Sequence, residues 1–359
     1  MPWPDRHFLG LVGTEHPIVQ APMAGAGGAD LAIAAIAGGA LGSLPCGMLS
    51  ETEIHAEVGR VRSEAGGPLN LNFFCHTMPA SPDDRRWRVL LQPYYEEFGV
   101  GPPPDEPRLR LPFGESMCRL VEDLRPEVVS FHFGLPAVPL LDRVKAAGAL
   151  VFGNATSVEE ARWLGAHGVD AVIAQGYEAG GHAGHFLPAD PAARMGLMAL
   201  LPQVVDAVEI PVVAAGGIGD ARGVAAALML GASAVQIGTA YLCCPESLIS
   251  SAHRAALDSA AAERTMVTNL MTGGLARGLP NRIMQELGPV RDEAPPSPYA
   301  AAALAPLRAA AEVVGDIAFS PAWAGQSARL GRAVPAAELT RDLARGALAL
   351  LAGQSETSS

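Results

Sequence analysis

The chain has 359 residues, 49% hydrophobic and 17% charged, which is ample for a large core and excludes disorder over most of its length. A formal net charge of −12 argues against a nucleic-acid surface or a polybasic membrane anchor. Five cysteines with no CxxC pair argue against a disulfide framework or a structural zinc, and for a reducing cytoplasm.

The opening MPWPDRHFLG lacks the basic-then-apolar layout of a secretion signal, and the most apolar run, 31–44, is too short to span a bilayer. Residues 17–23 (PIVQAPM) predict a first strand, followed by a helix over 30–39 and a second strand over 40–45. A helix over 51–64 carries acid early and Arg60 and Arg62 late, matching the helix dipole. The third strand, 69–74 (LNLNFF), alternates apolar and amide residues. Asn70 and Asn72 therefore need partners, either a ligand or neighbouring backbone.

Residues 78–115 break this rhythm. Pro102, Pro103, Pro104, Pro107 and Pro112, with many charges, predict an excursion over the surface and a candidate cover for a site. Strands over 128–134, 150–154, 171–175, 212–217 and 234–239 then alternate with helices over 138–147, 157–167, 197–208 and 221–230. Ser157 is the expected N-cap of its helix. Eight parallel strand–helix units close into a (β/α)8 TIM barrel. A doubly wound sheet is the competitor, but no GxGxxG turn follows the first strand. The expected layout is a barrel over 1–240, a smaller added helical lobe over 241–335, a closing helix over 336–352 and a disordered tail over 353–359.

The stretch with most chemistry is 170–186, DAVIAQGYEAGGHAGHF, where a buried strand runs into a glycine-rich loop holding His182 and His185. His182 is the acid/base candidate, because imidazole titrates near neutrality; the other reading is a structural histidine bonded to the loop. His185 reads as structural, His132 as a core residue able to point into the barrel mouth, and His76 as a minor substrate candidate. Glu178 reads as a loop-orienting or N–H-capping group, and Cys243 and Cys244 as buried thiols. Glycine-rich strand ends at 214–220 (AAGGIGD) and 236–239 (QIGT) are where a barrel holds a phosphate, with Thr239 as a hydroxyl donor. No Walker lysine, metal-ligand cluster or lysine placed for pyridoxal phosphate is present. Gln175 and Asn72 instead suit the amide-rich edge of a flavin ring, with Pro22 and Met23 against its face.

Several of these segments, in this order, resemble one family. PIVQAPMAG, LNFF, DAVIAQGYEAGGHAGHF, PVVAAGGIGD, AVQIGTAYLCCPES, TMVTNLMTGGLARGLPNR (265–282) and WAGQSARL (323–330) are similar to the nitronate monooxygenases. The resemblance implies an FMN-dependent barrel with a smaller second domain. By motif matching it sets FMN against Ala21, Pro22, Met23, Asn72, Gln175, Gly180, Gly181, Gly217, Gln236, Ile237, Gly238 and Thr239, and makes His182 the residue acting at the substrate carbon. The implied reaction is oxidation of an alkyl nitronate or nitroalkane, such as propionate 3-nitronate, by O2 to a carbonyl compound and nitrite. The barrel and the AGGH loop also resemble the FMN-dependent enoyl-acyl-carrier-protein reductases, which take hydride from NAD(P)H.

Overall fold

A computed structural model describes residues 3–102, 109–188, 190 and 193–355. In chain order its strands are β1 (Ile18–Gln20), β2 (Gly42–Pro45), β3 (Leu69–Phe74), β4 (Val128–His132), β5 (Leu150–Ala155), β6 (Ala171–Gln175), β7 (Gly181–His182), β8 (Val212–Ala215), β9 (Ala234–Ile237), β10 (Met266–Thr268) and β11 (Ala276–Gly278). Eight of them, β1–β6 with β8 and β9, form one parallel sheet. Its two edges meet: Gln20 N–H donates to the Leu41 carbonyl, and Leu41 N–H to the Ile18 carbonyl, both at 2.9 Å. The expected (β/α)8 barrel is the observed fold.

Side-chain alternation explains both faces of this barrel. Ile18, Leu71, Phe73, Val129, Phe131, Val172 and Val235 pack outward in the main core under the helices. The intervening residues point inward, and they change character along the barrel axis. Val19, Val128, Phe152, Ile173 and Val213 form an apolar plug with Phe8 and Val12 of the helix His7–Val12, an element the sequence reading did not foresee. Farther along, the inward positions are polar: Asn72, Asn154 and Gln175 are buried, and Asn72 Nδ2 donates to Ser130 Oγ at 2.9 Å. Asn70, a candidate to face a ligand, instead donates to Ser43 Oγ at 3.0 Å inside the barrel.

Local signals behave as their chemistry requires. Ser50 and Glu53 make a reciprocal capping box at Glu51–Glu64, and Ser157 Oγ accepts from Glu160 N–H at the start of Val158–Ala166. The final helix, Ala336–Ser355, continues past the expected end at 352. One glycine, Gly353, weakens a helix by about 1 kcal/mol and does not terminate it. The remainder of the expected tail, 356–359, lies outside the described residues, as do Pro103, Pro104 and Pro107.

The added lobe differs from a purely helical one. It contains an antiparallel sheet in the order β10–β11–β7, whose last strand comes from the barrel's own histidine loop. The excursion also belongs with it. Helix Arg85–Phe98 packs against helix Ala300–Val313, and Trp87, Leu91, Tyr94 and Tyr95 share one core with Leu270, Leu304, Leu307 and Phe319. All five cysteines are free thiols, Cys243 and Cys244 among the buried ones. Among the described residues no helix is long and apolar enough to cross a membrane.

Candidate active site

A cavity of ≈ 540 Å³ opens at the C-terminal end of the barrel strands. Every site residue expected from the sequence lines it except Ile237. Ile237 is wholly buried beneath the mouth, paired with Gln20 across β9 and β1; its carbonyl accepts from Ala21 N–H at 2.9 Å. Its neighbours on either side, Gln236 and Gly238, do reach the cavity.

The histidine loop is held from the barrel on one side and from the segment after β9 on the other. On the barrel side, Gln175 Nε2 donates to the His182 carbonyl at 2.9 Å, while its Oε1 accepts from Gly184 N–H at 2.9 Å. Much of the Gln175 amide is therefore a clamp on this loop, in addition to lining the cavity. Gly184 has to be glycine, because a methyl there would run into Asn154 Nδ2 and the His132 ring. On the lobe side, His182 pairs with Ala276 across β7 and β11, and Ala183 N–H donates to the Leu275 carbonyl at 2.9 Å. The far end of the loop is tied to Glu160, whose carboxylate accepts from Phe186 N–H at 2.7 Å and Leu187 N–H at 3.2 Å. Glu178, as expected, caps backbone: both oxygens accept from Leu197 N–H at 2.9 Å.

The His182 ring sits between Trp323 at 5.5 Å and Phe133 at 6.0 Å, centroid to centroid. Its Nε2 shares a hydrogen with Thr272 Oγ1 at 2.8 Å. Burial pushes its pKa down to about 3, and repulsion from His132 when protonated, from Arg110 and from His76 when protonated acts in the same direction. His182 is therefore neutral at pH 7. His132 is also held down, to about 4, by burial, against an opposing hydrogen bond to the backbone of His182. Phe133 adopts φ 69°, a left-handed conformation costly for a bulky residue, and this turns its ring against His132 and His182.

The residues expected to cradle a phosphate stand at the other end of the cavity. Gly217 and Gly238 line it, and Thr239 Oγ1 accepts from Gly325 N–H at 2.9 Å, leaving its own proton to donate. The helix Ala221–Met229 is not available as an anion site, because Asp220 already accepts from its Arg222 and Gly223 N–H groups. Any phosphate there would rest on the loops.

Three groups that sequence reasoning did not single out complete the site. Arg110 lines the cavity near His182 and has no acidic partner among the described residues, whereas nearby Arg308 is paired with Glu312 at 2.7 Å. Burial, and repulsion from Arg308, lower the pKa of Arg110. Thr272 and Trp323 come from the lobe. Both stand inside segments the sequence reading matched, MTGG and WAGQ, but nothing in either segment shows that it folds back onto His182. Arg110 was hidden in the proline- and charge-rich excursion. A second cavity, of ≈ 610 Å³, adjoins the first through Phe74, Arg110, His182 and Thr272, and is where His76 and His185 are found. Among the described residues no cluster suited to a metal ion occurs.

Comparison with known proteins agrees over almost the whole chain. The family described as Nitronate monooxygenase matches residues 6–346. A nitronate monooxygenase of Pseudomonas aeruginosa is 43% identical, covering 94% of this chain and 98% of that protein. One from Paraburkholderia phytofirmans is 40% identical, covering 95% and 94%. Among solved structures, a nitroalkane oxidase from Streptomyces ansochromogenes superposes with a TM-score of 0.89 at 38% identity, covering 97% of this chain and 99% of that one. FabK from Thermotoga maritima gives 0.75 at 26% identity, covering 99% and 100%.

Proposed function

This chain belongs to the nitronate monooxygenase family and is an oxidoreductase; from that premise we propose that it uses FMN and O2 to oxidise alkyl nitronates to a carbonyl compound and nitrite. The observation that carries the reading is that His182 and Arg110, which has no acidic partner among the described residues, line one cavity at the C-terminal end of the barrel strands. The residues present fit a flavin. Gln236 Oε1 is buried with no hydrogen-bond partner and lines the cavity, so it is an acceptor waiting for an N–H such as the flavin ring carries. The glycines and Thr239 at the far end suit the phosphate of FMN. When bound, FMN takes electrons from the substrate and passes them to O2.

The chain's own residues then have separable tasks. A neutral imidazole at His182 accepts the α-proton when a nitroalkane is offered. When the nitronate itself is offered that proton is already gone, and His182 serves as a hydrogen-bonding partner. The sequence reading also has His182 steady the anion as a cation or hydrogen-bond donor; burial favours the neutral ring, and Arg110 lines the same cavity as a second group able to meet the anion. Trp323 and Phe133 hold the imidazole plane and exclude water from it.

The test is anaerobic stopped-flow absorbance of the FMN-loaded protein, mixed separately with propionate 3-nitronate and with NADH or NADPH. Bleaching by the nitronate, with nitrite formed once air is admitted, is the expected result. Bleaching by a nicotinamide alone would overturn the reading in favour of a reductase.

A further inference from the structure

We infer that the second cavity is a substrate-tail subsite that takes an unbranched apolar chain carried on the nitronate carbon. The inference rests on the reading that His182 acts at that carbon. The hydrogen-bonded pair His182–Thr272 lines both cavities, with Phe74 and Arg110 beside it. A carbon held against His182 from the flavin side therefore has its substituent facing a space that is already open.

The size of that space is the second observation. At ≈ 610 Å³ it lies within the range of whole ligand sites, about 300–1,000 Å³. A nitronate of two or three carbons leaves nearly all of it unfilled. Its lining is the third. His76, Thr77, His185 and Ser297 add polar groups to it, while Leu109, Phe133, Leu275 and Pro298 supply apolar walls and Ala301, Ala302 and Ala305 present small side chains from the helix Ala300–Val313. Leucine at those three positions would occupy the space; alanine leaves room for a chain. The charged group, Arg110, belongs to both cavities and so lies at the junction, where the nitronate oxygens need it. Each methylene moved from water into such a chamber contributes ~0.8 kcal/mol, which is about fourfold in affinity.

The test uses the full FMN-loaded chain and two homologous series. Straight-chain carboxylates from propionate to decanoate, planar anions that resemble nitronates, are titrated by the perturbation of flavin absorbance and by calorimetry. Nitronates of nitroethane through 1-nitrooctane are assayed for kcat/KM. The expected result is a Kd that falls about fourfold per methylene over several additions, a parallel rise in kcat/KM, and early levelling of both in Ala302→Phe, with a weaker effect in Ala302→Val. Oxidation of all nitronates with no dependence on chain length, or a dependence untouched by both substitutions, would overturn the subsite while leaving the proposed reaction standing. Chain-dependent carboxylate binding without nitronate oxidation would keep the subsite and overturn the reaction.

Discussion

In the proposed reaction His182 handles the proton and Arg110 the charge of the anion. Because His182 takes the α-proton in that reaction, the consequence of removing it depends on which substrate is offered. His182→Asn should lower kcat on a neutral nitroalkane by about 10²–10⁴, the usual worth of a positioned base, but should lower turnover of the preformed nitronate far less. Equal losses on both substrates would mean that the ring acts only as packing. Arg110→Gln should show the opposite split. A hydrogen bond to a charged group contributes ~1.5–3 kcal/mol, so KM for the nitronate should rise roughly 10- to 100-fold with little change in kcat. Steady-state kinetics on both substrates separates the two roles.

The strands and their loops show how much of this was legible in sequence. The barrel strands announce themselves as short apolar runs, and LNLNFF shows its polar inward face by simple alternation. Strand ends and glycines pointed to part of the cavity lining and the family resemblance supplied the rest, with Ile237 as the exception because period-two alternation turns it away from its neighbours. The lobe was harder. Trp87, Leu91, Tyr94 and Tyr95 have helical spacing, but Pro93 stands inside the helix and charges surround it, so the segment read as an excursion. Strand β7 has two residues, too few to carry a period, and forms only because β11 lies beside it. Contacts made across 90 residues of chain, such as Thr272 to His182, leave no local pattern at all. The helix Arg85–Phe98 is nonetheless a structural anchor. Trp87 Nε1 donates to the Ala300 carbonyl at 3.3 Å, and Tyr95 Oη to the Ala303 carbonyl at 2.6 Å. Trp87→Ala should therefore cost about 3–5 kcal/mol of stability, visible as a lower urea midpoint. A midpoint unchanged from the native chain would show that this helix is not part of the lobe's core.

At the scale of the whole molecule, the buried histidines set how the protein responds to acid. The pKa values of His132 and His253 are lowered to about 4 and that of His182 to about 3, chiefly by burial. Those of His16 and His76 are lowered for the same reason. In each case the folded value lies below the unfolded one, near 6.5, so between the two the unfolded chain binds more protons. Stability from these groups is thus complete above about pH 6.5 and is lost as pH falls toward 4, at up to ~1.4 kcal/mol per pH unit for each histidine. Carboxylates held down by arginine, such as Glu97 and Glu122, lose their contribution as pH falls from the ordinary value of 4.5 downward, so their window overlaps only the acid end of the histidine window. His132, His182 and His253 all line the cavity proposed for FMN, which couples acid lability to cofactor retention. The melting temperature should be level from pH 8 to 7 and fall steadily from 6.5 to 4.5, with flavin released over the same interval. His253→Leu removes one titrating ring and a buried nitrogen that has no partner, so it should make the fall shallower. A melting temperature flat down to pH 5 in the native chain would mean that these imidazoles are open to water when the protein is folded.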